Sequence, residues 1–319
     1  MILSIIVPFY NSMPYFDFML KSLISQIEED IEVVFVDDGS TDGSLDTLKS
    51  YNLGDNVKIF SVVNSGVSKA RNIGFDYCTG EYVWFVDSDD VIAVSAIKKI
   101  KKALNSFNFA PDVITANYYA FDDDLKPKGV IYKSKNFFDE YANNFGMIDD
   151  PFDALFSKKT NCSMICNTIF RRENVKNNSV KFDESIVFSE GLVYKFEAVS
   201  TAKKFGFMNS YIYGYRNPNV NRGSLSTQMH SIKETICLAD ALEKWFYYFE
   251  KEYKHESGSE FMKMCIAQLI NDLFNYIDYQ IKQGKCDFDY VAYLDAKANF
   301  FEYIKKNINR ERSYIKYNF

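Results

Sequence analysis

Two aspartates at the end of an apolar segment are the sharpest chemical feature of the sequence. Asp87 and Asp89 are two positions apart on an extended stretch, so both carboxylates point to the same side of the chain. Such a pair can hold Mg²⁺ or Mn²⁺, which prefer oxygen ligands and complete their shell with phosphate oxygens and water. A turn or a helix N-cap is the alternative for an isolated Asp-x-Asp triplet. The position after an apolar strand, opposite a second acidic strand end, favours the metal site.

That second acidic segment is Asp37–Asp42, which also follows an apolar run. Asp38 could accept hydrogen bonds from a base N–H or a ribose hydroxyl, as acidic strand ends do in nucleotide sites. Alternatively, Gly39 permits a tight turn and the Ser-Thr-Asp sequence after it caps the next helix. The two interpretations are compatible.

A third polar segment runs from Asn64 to Asn72 and opens a helical pattern. Gly66 lets the backbone approach a ligand closely, and the helix N-terminus favours anions. Arg71 lies on the first turns, where its guanidinium could bind a phosphate or a base carbonyl in a bidentate manner. A solvent-exposed arginine is the alternative.

Each of these polar segments follows a predicted β-strand. Runs rich in β-branched and aromatic residues predict strands at Leu3–Val7, Glu32–Val36, Val57–Val62 and Tyr82–Val86. Apolar residues at helical spacing lie between them, over 16–27 and 67–77. This alternation predicts an α/β fold with right-handed crossovers and a mostly parallel sheet covered by helices on both faces. Ligands of such sheets bind at the carboxyl ends of the strands.

The order and spacing of the motifs resemble the inverting glycosyltransferases of family 2. The resemblance covers about residues 1–95 and rests on Ser4–Asn11, Val36–Gly43, Asn64–Asn72, Gly80–Tyr82 and Phe85–Asp90. It implies a GT-A fold, a nucleotide-sugar donor that is usually a UDP-sugar, and a cofactor, Mn²⁺ or Mg²⁺, held by the Asp-x-Asp element.

The resemblance also implies roles for single side chains. Asp87 would face the donor sugar as a catalytic residue and second metal ligand, and Asp89 would bind the metal. The candidate nucleotide-binding residues are Pro8, Tyr10, Asn11, Asp37, Asp38, Asn64, Gly66, Arg71 and Ser88.

The sequence departs from the family at the expected general base. Family members usually carry a Glu-Asp pair at the start of a helix in the second half, with the aspartate as base, whereas here Gly191 follows Glu190. Glu190 is our candidate base, although adjacent helical residues point about 100° apart and its carboxylate must be re-aimed. Alternatively, Glu190 only interacts with the helix dipole, Asp183 or Glu184 is the base, or no side chain is.

We expect three regions along the chain: a nucleotide-sugar-binding half at 1–110, an acceptor-binding half of the same domain at 111–225, and a helical C-terminal region at 226–319. Val113–Phe121 and a return strand near Gly129–Lys133 predict a hairpin around the acidic segment Asp122–Asp124. We interpret that segment as a solvated turn rather than a second metal site. From Lys297 onward, six cations and two anions accompany an apolar stripe. This helix could contact an anionic membrane or pack as an ordinary core helix.

Composition excludes several other classes. A net charge of −6 and a pI near 5.2 argue against nucleic acid as a partner. The longest apolar run, Leu3–Phe9, is far below the roughly 20 residues that cross a bilayer, and we expect no leader before it. Cys162 and Cys166 could form half of a zinc site, but no second pair completes it. We therefore expect reduced cysteines and a cytoplasmic protein, with the inner face of the membrane as an alternative location.

The sequence thus predicts a metal-dependent, inverting, hexosyltransferase-type enzyme. It would move a sugar from a UDP-sugar to a hydroxyl of a bacterial surface glycan, such as capsule, O-antigen or a glycoprotein, and the acceptor could be lipid-linked. The alternative is a nucleotide-sugar-binding or regulatory subunit with weakened activity, because Gly191 replaces the expected base. Phosphatase, nucleotidyltransferase and NAD-dependent functions are disfavoured, since no glycine-rich phosphate loop follows the first strand.

Overall fold

The computed structural model describes residues 1–121, 145–148, 165–186 and 190–216, together with Asp278, Asp295 and Ala298. The chain divides into two compact units, Met1–Val220 and Asn221–Phe319. The predicted acidic turn, the predicted return strand, the C-terminal helical region and the basic tail lie outside the described residues. The division into three regions therefore stays a prediction.

The first half is the predicted alternation of strands and helices. Its strands are β1 (Leu3–Phe9), β2 (Ile31–Asp37), β3 (Val57–Ser61) and β4 (Tyr82–Phe85). Its helices are α1 (Tyr15–Ile24), α2 (Ser44–Ser50) and α3 (Val67–Tyr77). All neighbouring pairs in the order β3-β2-β1-β4 are parallel. The four predicted strands and the predicted helices are confirmed to within a few residues at each end.

The second half extends the same sheet with strands of both directions. It contains β5 (Val91–Ile92), β6 (Val113–Phe121), β7 (Phe145–Ile148), β8 (Thr168–Arg171) and β9 (Phe205–Arg216). The helices are α4 (Ala96–Ser106), α5 (Arg172–Asn177) and α6 (Glu190–Ser200). Strand β8 is antiparallel to both β4 and β6, β9 is parallel to β6, and β5 and β7 are antiparallel to β9. The described sheet is therefore mixed.

The core lies on both faces of the parallel strands. Every residue of β1 and β2 is buried, as expected for strands that helices cover on two sides. Helix α3 packs closely on β1, because a Cβ at Gly74 would lie only 2.4 Å from Cγ2 of Ile6. On β4, the buried indole of Trp84 donates a hydrogen bond to the carbonyl oxygen of Cys166. Among the described residues, no helix combines the length and apolar character that a bilayer span requires.

Strand direction decides where the polar loops meet. Because β8 is antiparallel to β4 and to β6, strands β6 and β9 run in the same direction as β1 to β4. The carboxyl ends of all six strands therefore lie at one edge of the sheet. The loops after β1 to β4 and the final residue of β9, Arg216, belong to this edge.

Candidate active site

A buried arginine joins two of the predicted catalytic carboxylates. Arg71 on α3 is 3% exposed, and its guanidinium donates from Nη2 to Oδ1 of Asp87 at 2.7 Å and from Nη1 to Oε1 of Glu190 at 2.5 Å. Burial disfavours the charged guanidinium, but the two carboxylates outweigh it and raise the pKa of Arg71 above its ordinary value. Within the described residues, Nε of Arg71 has no hydrogen-bond partner. The solvent-exposed alternative for Arg71 is therefore wrong.

A second arginine holds the other aspartate of the triplet. Arg216 donates from Nη2 to Oδ2 of Asp89 at 2.8 Å and from Nε to the carbonyl oxygen of Asp89 at 3.0 Å. Its guanidinium carbon lies 3.6 Å from the centroid of the Tyr15 ring, within the range of a cation–π contact. Burial, followed by the nearby charge of Asp87, raises the pKa of Asp89, although Arg216 opposes this shift.

The end of β9 also fixes the loop that carries the triplet. Asp90 is buried, and it accepts a hydrogen bond from the hydroxyl of Tyr213 and another from the backbone N–H of Arg216. The same Tyr213 hydroxyl accepts a hydrogen bond from the backbone N–H of Asp87 at 3.1 Å. Burial, then the charges of Asp89 and Asp87, raise the pKa of Asp90 well above its ordinary range. Both ends of the Asp87–Asp90 loop are thus anchored to one strand.

The predicted nucleotide-binding aspartates contact the neighbouring loops. Asp37 is 1% exposed, and it accepts hydrogen bonds from the backbone N–H of Ser40 and the hydroxyl of Ser61. Asp38 is 4% exposed, and its two oxygens accept hydrogen bonds at 2.8 Å from the backbone N–H groups of Ser65 and Gly66. The loop after β3 is therefore held against the end of β2. A contact of either carboxylate with a nucleotide stays a prediction.

The residues after β1 lie beside these loops. Asn11 has a positive φ, donates its backbone N–H to Oγ of Ser40 and accepts a hydrogen bond from the backbone N–H of Thr41 at 2.8 Å. Tyr10 is half exposed, whereas Pro8 is buried within β1. Ser88 forms a hydroxyl–hydroxyl hydrogen bond with Ser12 at 2.7 Å, which joins the triplet to the β1 loop.

Gly66 and Asn64 are exposed at the same edge. Gly66 has a φ of +95°, and among the described residues no heavy atom lies within 4 Å of the position that a Cβ would take. A side chain is disfavoured here by the backbone conformation, and the space beside the backbone is open on the described side. This geometry is consistent with the predicted close approach of a ligand.

Glu190, Gly191 and the rival acids occupy different surroundings. Glu190 is the first residue of α6, with its side chain 12% exposed and paired with Arg71. A Cβ at Gly191 would instead lie 3.0 Å from Cγ2 of the buried Ile165. Asp183 and Glu184 are exposed; the first accepts hydrogen bonds from Ser185, and the second contacts Asn72 and Lys69. Of these four positions, the described contacts connect only Glu190 to Arg71 and thereby to Asp87.

The donor set fits a hard divalent cation in part. Asp87 and Asp89 supply carboxylate oxygens, and Mg²⁺ or Mn²⁺ commonly uses one or two carboxylates together with substrate phosphates and water. No group of three or more His, Cys, Asp or Glu side chains in the described ranges could hold a metal ion. The remaining ligands would therefore come from the donor and from solvent.

Sequence reasoning missed three contributors to this edge. Arg216, Tyr213 and Asp90 received no role, although Asp90 follows the triplet directly and Tyr213 and Arg216 end an aromatic strand. The aromatic run before Arg216 was an available signal for a strand, but the direction of that strand relative to β4 depends on long-range pairing. Cys78 and Cys166 are buried free thiols, and burial raises the pKa of Cys78 to about 12. Cys162, the other half of the zinc alternative, lies outside the described residues.

Comparison with known proteins decides the family. The sequence model of glycosyl transferase family 2 matches residues 4–176, which is more than half of the chain. The chain belongs to glycosyltransferase family 2. The match includes β1 to β4 and the loops that carry Asp38, Arg71, Asp87 and Asp89.

The sequence relatives of this family 2 chain come from several bacteria. Glycosyltransferase GlyA of Streptococcus pneumoniae is 26% identical over 76% of this chain and 34% of its own length. Minor teichoic acid biosynthesis protein GgaA of Bacillus subtilis is 28% identical over 86% of this chain and 55% of its own length. Cholesterol galactosyltransferase of Borreliella burgdorferi is 28% identical over 75% of this chain and 66% of its own length. This chain therefore spans between about one third and two thirds of these relatives.

Solved structures support the same fold. The crystal structure of residues 1–349 of S. aureus TarS in complex with UDP-GlcNAc has a TM-score of 0.67 and 22% identity. The match covers 86% of this chain and 73% of that chain. At this identity the similarity concerns the fold, and it confirms the expected GT-A type.

Proposed function

We propose that this protein is a metal-dependent, inverting glycosyltransferase that moves a sugar from a UDP-linked donor to a hydroxyl of a bacterial surface glycan. The observation that carries the proposal is the group formed by Asp87, Arg71 and Glu190 at the carboxyl ends of the strands of a family 2 fold. Two relatives support the acceptor class, since their names refer to minor teichoic acid biosynthesis and to poly(ribitol-phosphate) glucosylation. The UDP-GlcNAc complex of TarS supports a UDP-sugar donor.

In this proposal Asp87 and Asp89 hold the cation, and Asp38, Gly66 and Arg71 lie on the nucleotide side. A bound Mn²⁺ or Mg²⁺ would supply Lewis-acid stabilisation of the negative charge that develops on the leaving diphosphate. The protein's own part is to keep the carboxylates fixed before the donor arrives. Tyr213 and Arg216 do this for the Asp87–Asp90 loop through the hydrogen bonds described above.

Glu190 is the proposed general base. It would accept the proton of the attacking hydroxyl on the face of the sugar opposite the leaving group, which gives inversion at the anomeric carbon. The ion pair with Arg71 fixes the direction of the Glu190 carboxylate relative to Asp87. Its place at the first residue of α6 frees the side chain from the packing of the following turns.

The test is a screen of UDP-sugars with and without Mn²⁺, followed by thermal unfolding. A donor at a hundredfold its Kd adds about 2.7 kcal/mol to the free energy of unfolding, which raises the Tm by about 5–10 °C for a domain of this size. Donors that stabilise the protein are then assayed for UDP release with poly(ribitol phosphate) and glycolipid acceptors. If no UDP-sugar stabilises the protein under either condition, the donor class is wrong.

One outcome would favour the regulatory alternative. A UDP-sugar that stabilises the protein but gives no UDP release with any acceptor indicates donor binding with weakened chemistry. Gly191 at the expected base position motivates this alternative.

A cytoplasmic location, with the membrane surface as a second candidate site, is part of the proposal and is tested by fractionating cells that produce the protein.

A further inference from the structure

Arg216 donates a hydrogen bond to the Asp89 carboxylate, which would bind the proposed cation. Its Nη2 donates to Oδ2 of Asp89 at 2.8 Å, and its Nε donates to the carbonyl oxygen of the same residue. The Tyr15 ring covers one face of the guanidinium, and Arg216 is 5% exposed. This arginine is therefore a buried, positively charged group in direct contact with the second aspartate of the triplet.

A guanidinium N–H and a metal ion compete for the lone pairs of a carboxylate oxygen. A metal ligand must direct a lone pair at the ion at about 2.0–2.2 Å, and the positive charge of Arg216 would lie within a few ångströms of that ion. The repulsion between the two cations is strong at a half-buried position, where water screens charges poorly. Binding of the ion at Oδ2 of Asp89 thus requires that Arg216 move away from this oxygen.

We propose that Arg216 is a cationic placeholder, which neutralises Asp89 in the donor-free protein and must release it when a divalent cation binds. This inference rests on the proposed function, in which Asp89 holds the cation. The stacking contact with Tyr15 does not involve Asp89, so the released guanidinium can keep that contact. Because the ion must break the Arg216–Asp89 pair, that pair lowers the affinity of the donor-free protein for the ion.

The placeholder also couples the ion to the donor. A UDP diphosphate supplies phosphate oxygens to the ion and negative charge for the released guanidinium, so it offsets the cost of breaking the pair. Cation and donor should therefore bind with positive cooperativity, which is a reciprocal coupling between the two affinities. If Arg216 had a purely structural role, the coupling between the cation affinity and the donor affinity would not depend on its side chain.

The experiment measures Mn²⁺ binding to the donor-free protein by titration calorimetry or by the EPR signal of free Mn²⁺. A charge-assisted hydrogen bond is worth about 1.5–3 kcal/mol, so Arg216→Met should bind Mn²⁺ roughly 10- to 150-fold more tightly than the parent. Arg171→Met is the matched control, because Arg171 pairs with Asp112 and Glu173 at the opposite edge of the sheet. It should leave the Mn²⁺ affinity unchanged, and Asp89→Asn should abolish binding at the site.

The results separate this inference from the proposed function. Equal Mn²⁺ affinity of the parent and Arg216→Met, with binding lost in Asp89→Asn, overturns the placeholder and leaves the cation site standing. No Asp89-dependent Mn²⁺ binding in any variant, with or without UDP, overturns the metal-dependent function itself. Tighter binding by Arg216→Met together with a smaller effect of UDP on the Mn²⁺ affinity supports the placeholder.

A measurement on the unmodified protein covers the case in which Arg216→Met does not fold. Phenylglyoxal modifies accessible guanidinium groups, and the peptide that contains Arg216 can be quantified by mass spectrometry. Mg²⁺ alone should increase the rate of modification of Arg216 at least several-fold, because the group leaves its buried contact with Asp89. A rate that Mg²⁺ leaves unchanged, at concentrations that occupy the Asp89 site, contradicts the release of Arg216.

Discussion

Glu190→Gln tests the proposed base most directly. The substitution keeps the shape of the side chain and one oxygen that can accept the hydrogen bond from Nη1 of Arg71, now 2.5 Å from Oε1. It removes the ability to take up a proton near neutral pH. Because the Glu190 side chain is only 12% exposed, solvent has little room to substitute for the lost group.

The expected losses differ between catalysis and stability. Removal of a general base lowers kcat by about 10²–10⁴-fold, or roughly 2.7–5.4 kcal/mol of barrier. The substitution replaces an ion pair by a hydrogen bond from the charged guanidinium to a neutral amide, which costs about 1–1.5 kcal/mol in the free energy of unfolding. The kcat loss should therefore be much larger than the stability change can explain, while the donor Kd changes little.

The assay is steady-state UDP release at saturating donor, with donor binding and urea unfolding measured on the same samples. Glu184→Gln is the matched control, because Glu184 is exposed and pairs with Lys69 at 3.3 Å on the surface. It should keep the parental kcat. A folded, donor-binding Glu190→Gln protein with kcat within threefold of the parent would refute the assignment, and a large loss in Glu184→Gln would transfer the role to that residue.

Three further changes test the packing and electrostatics around this edge. Gly191→Asp should lower the Tm, because its Cβ would lie 3.0 Å from Cγ2 of Ile165. The double variant with Ile165→Ala should recover part of that loss. A Gly191→Asp protein with the Tm of the parent contradicts the crowding. Burial raises the pKa of Glu197 from 4.5 to about 7, so the free energy of unfolding of the parent should decrease as the pH rises through this interval. Urea unfolding of Glu197→Gln should show no such decrease from this group. Tyr213→Phe should cost about 1–3 kcal/mol of unfolding free energy, because the buried Asp90 loses a donor; an unchanged urea midpoint would disprove this.

The sequence was sufficient for the parts of the fold that local pattern determines. Strands β1, β2 and β4 are buried on both faces, and their nearly continuous apolar runs identify them without knowledge of their partners. Helix α3 spans Val67–Tyr77, as its apolar spacing predicts. Because parallel strands share one carboxyl edge, the polar segments that follow them could be placed together before any contact was known.

Contacts between distant segments were beyond the reach of that reasoning. Arg216 and Asp89 are 127 residues apart, and no local pattern indicates that β9 ends beside the triplet. The insertion of β8 between β4 and β6 is likewise a long-range antiparallel pairing, which local periodicity does not encode. The buried state of Arg71 could not be foreseen either, because it depends on Glu190, 119 residues further along.

The Glu190 problem shows how a helix terminus changes a rule derived from helix interiors. Successive residues within a helix point about 100° apart, so the Glu190 carboxylate had to be re-aimed if it was to replace a base at Gly191. Glu190 is the first residue of α6, however, and its side chain reaches Arg71 while the Gly191 position faces Ile165. An aspartate at 191 would have to displace Ile165 on this backbone, so the helix start makes Glu190 the better-placed carboxylate.

The charges at this edge explain why we expect cation and donor to bind together. Among the described residues, four elements meet at this edge: α3, the loop after β4, the start of α6 and the end of β9. They bring together four carboxyl groups and two guanidinium groups, namely Asp87, Asp89, Asp90, Glu190, Arg71 and Arg216. Even without Asp90, whose pKa burial raises, the other three carboxylates and two guanidinium groups carry an excess of negative charge. A diphosphate adds more, and its repulsion by the carboxylates is strong in a half-buried cleft. A divalent cation reverses the local balance, so donor affinity should depend steeply on Mn²⁺.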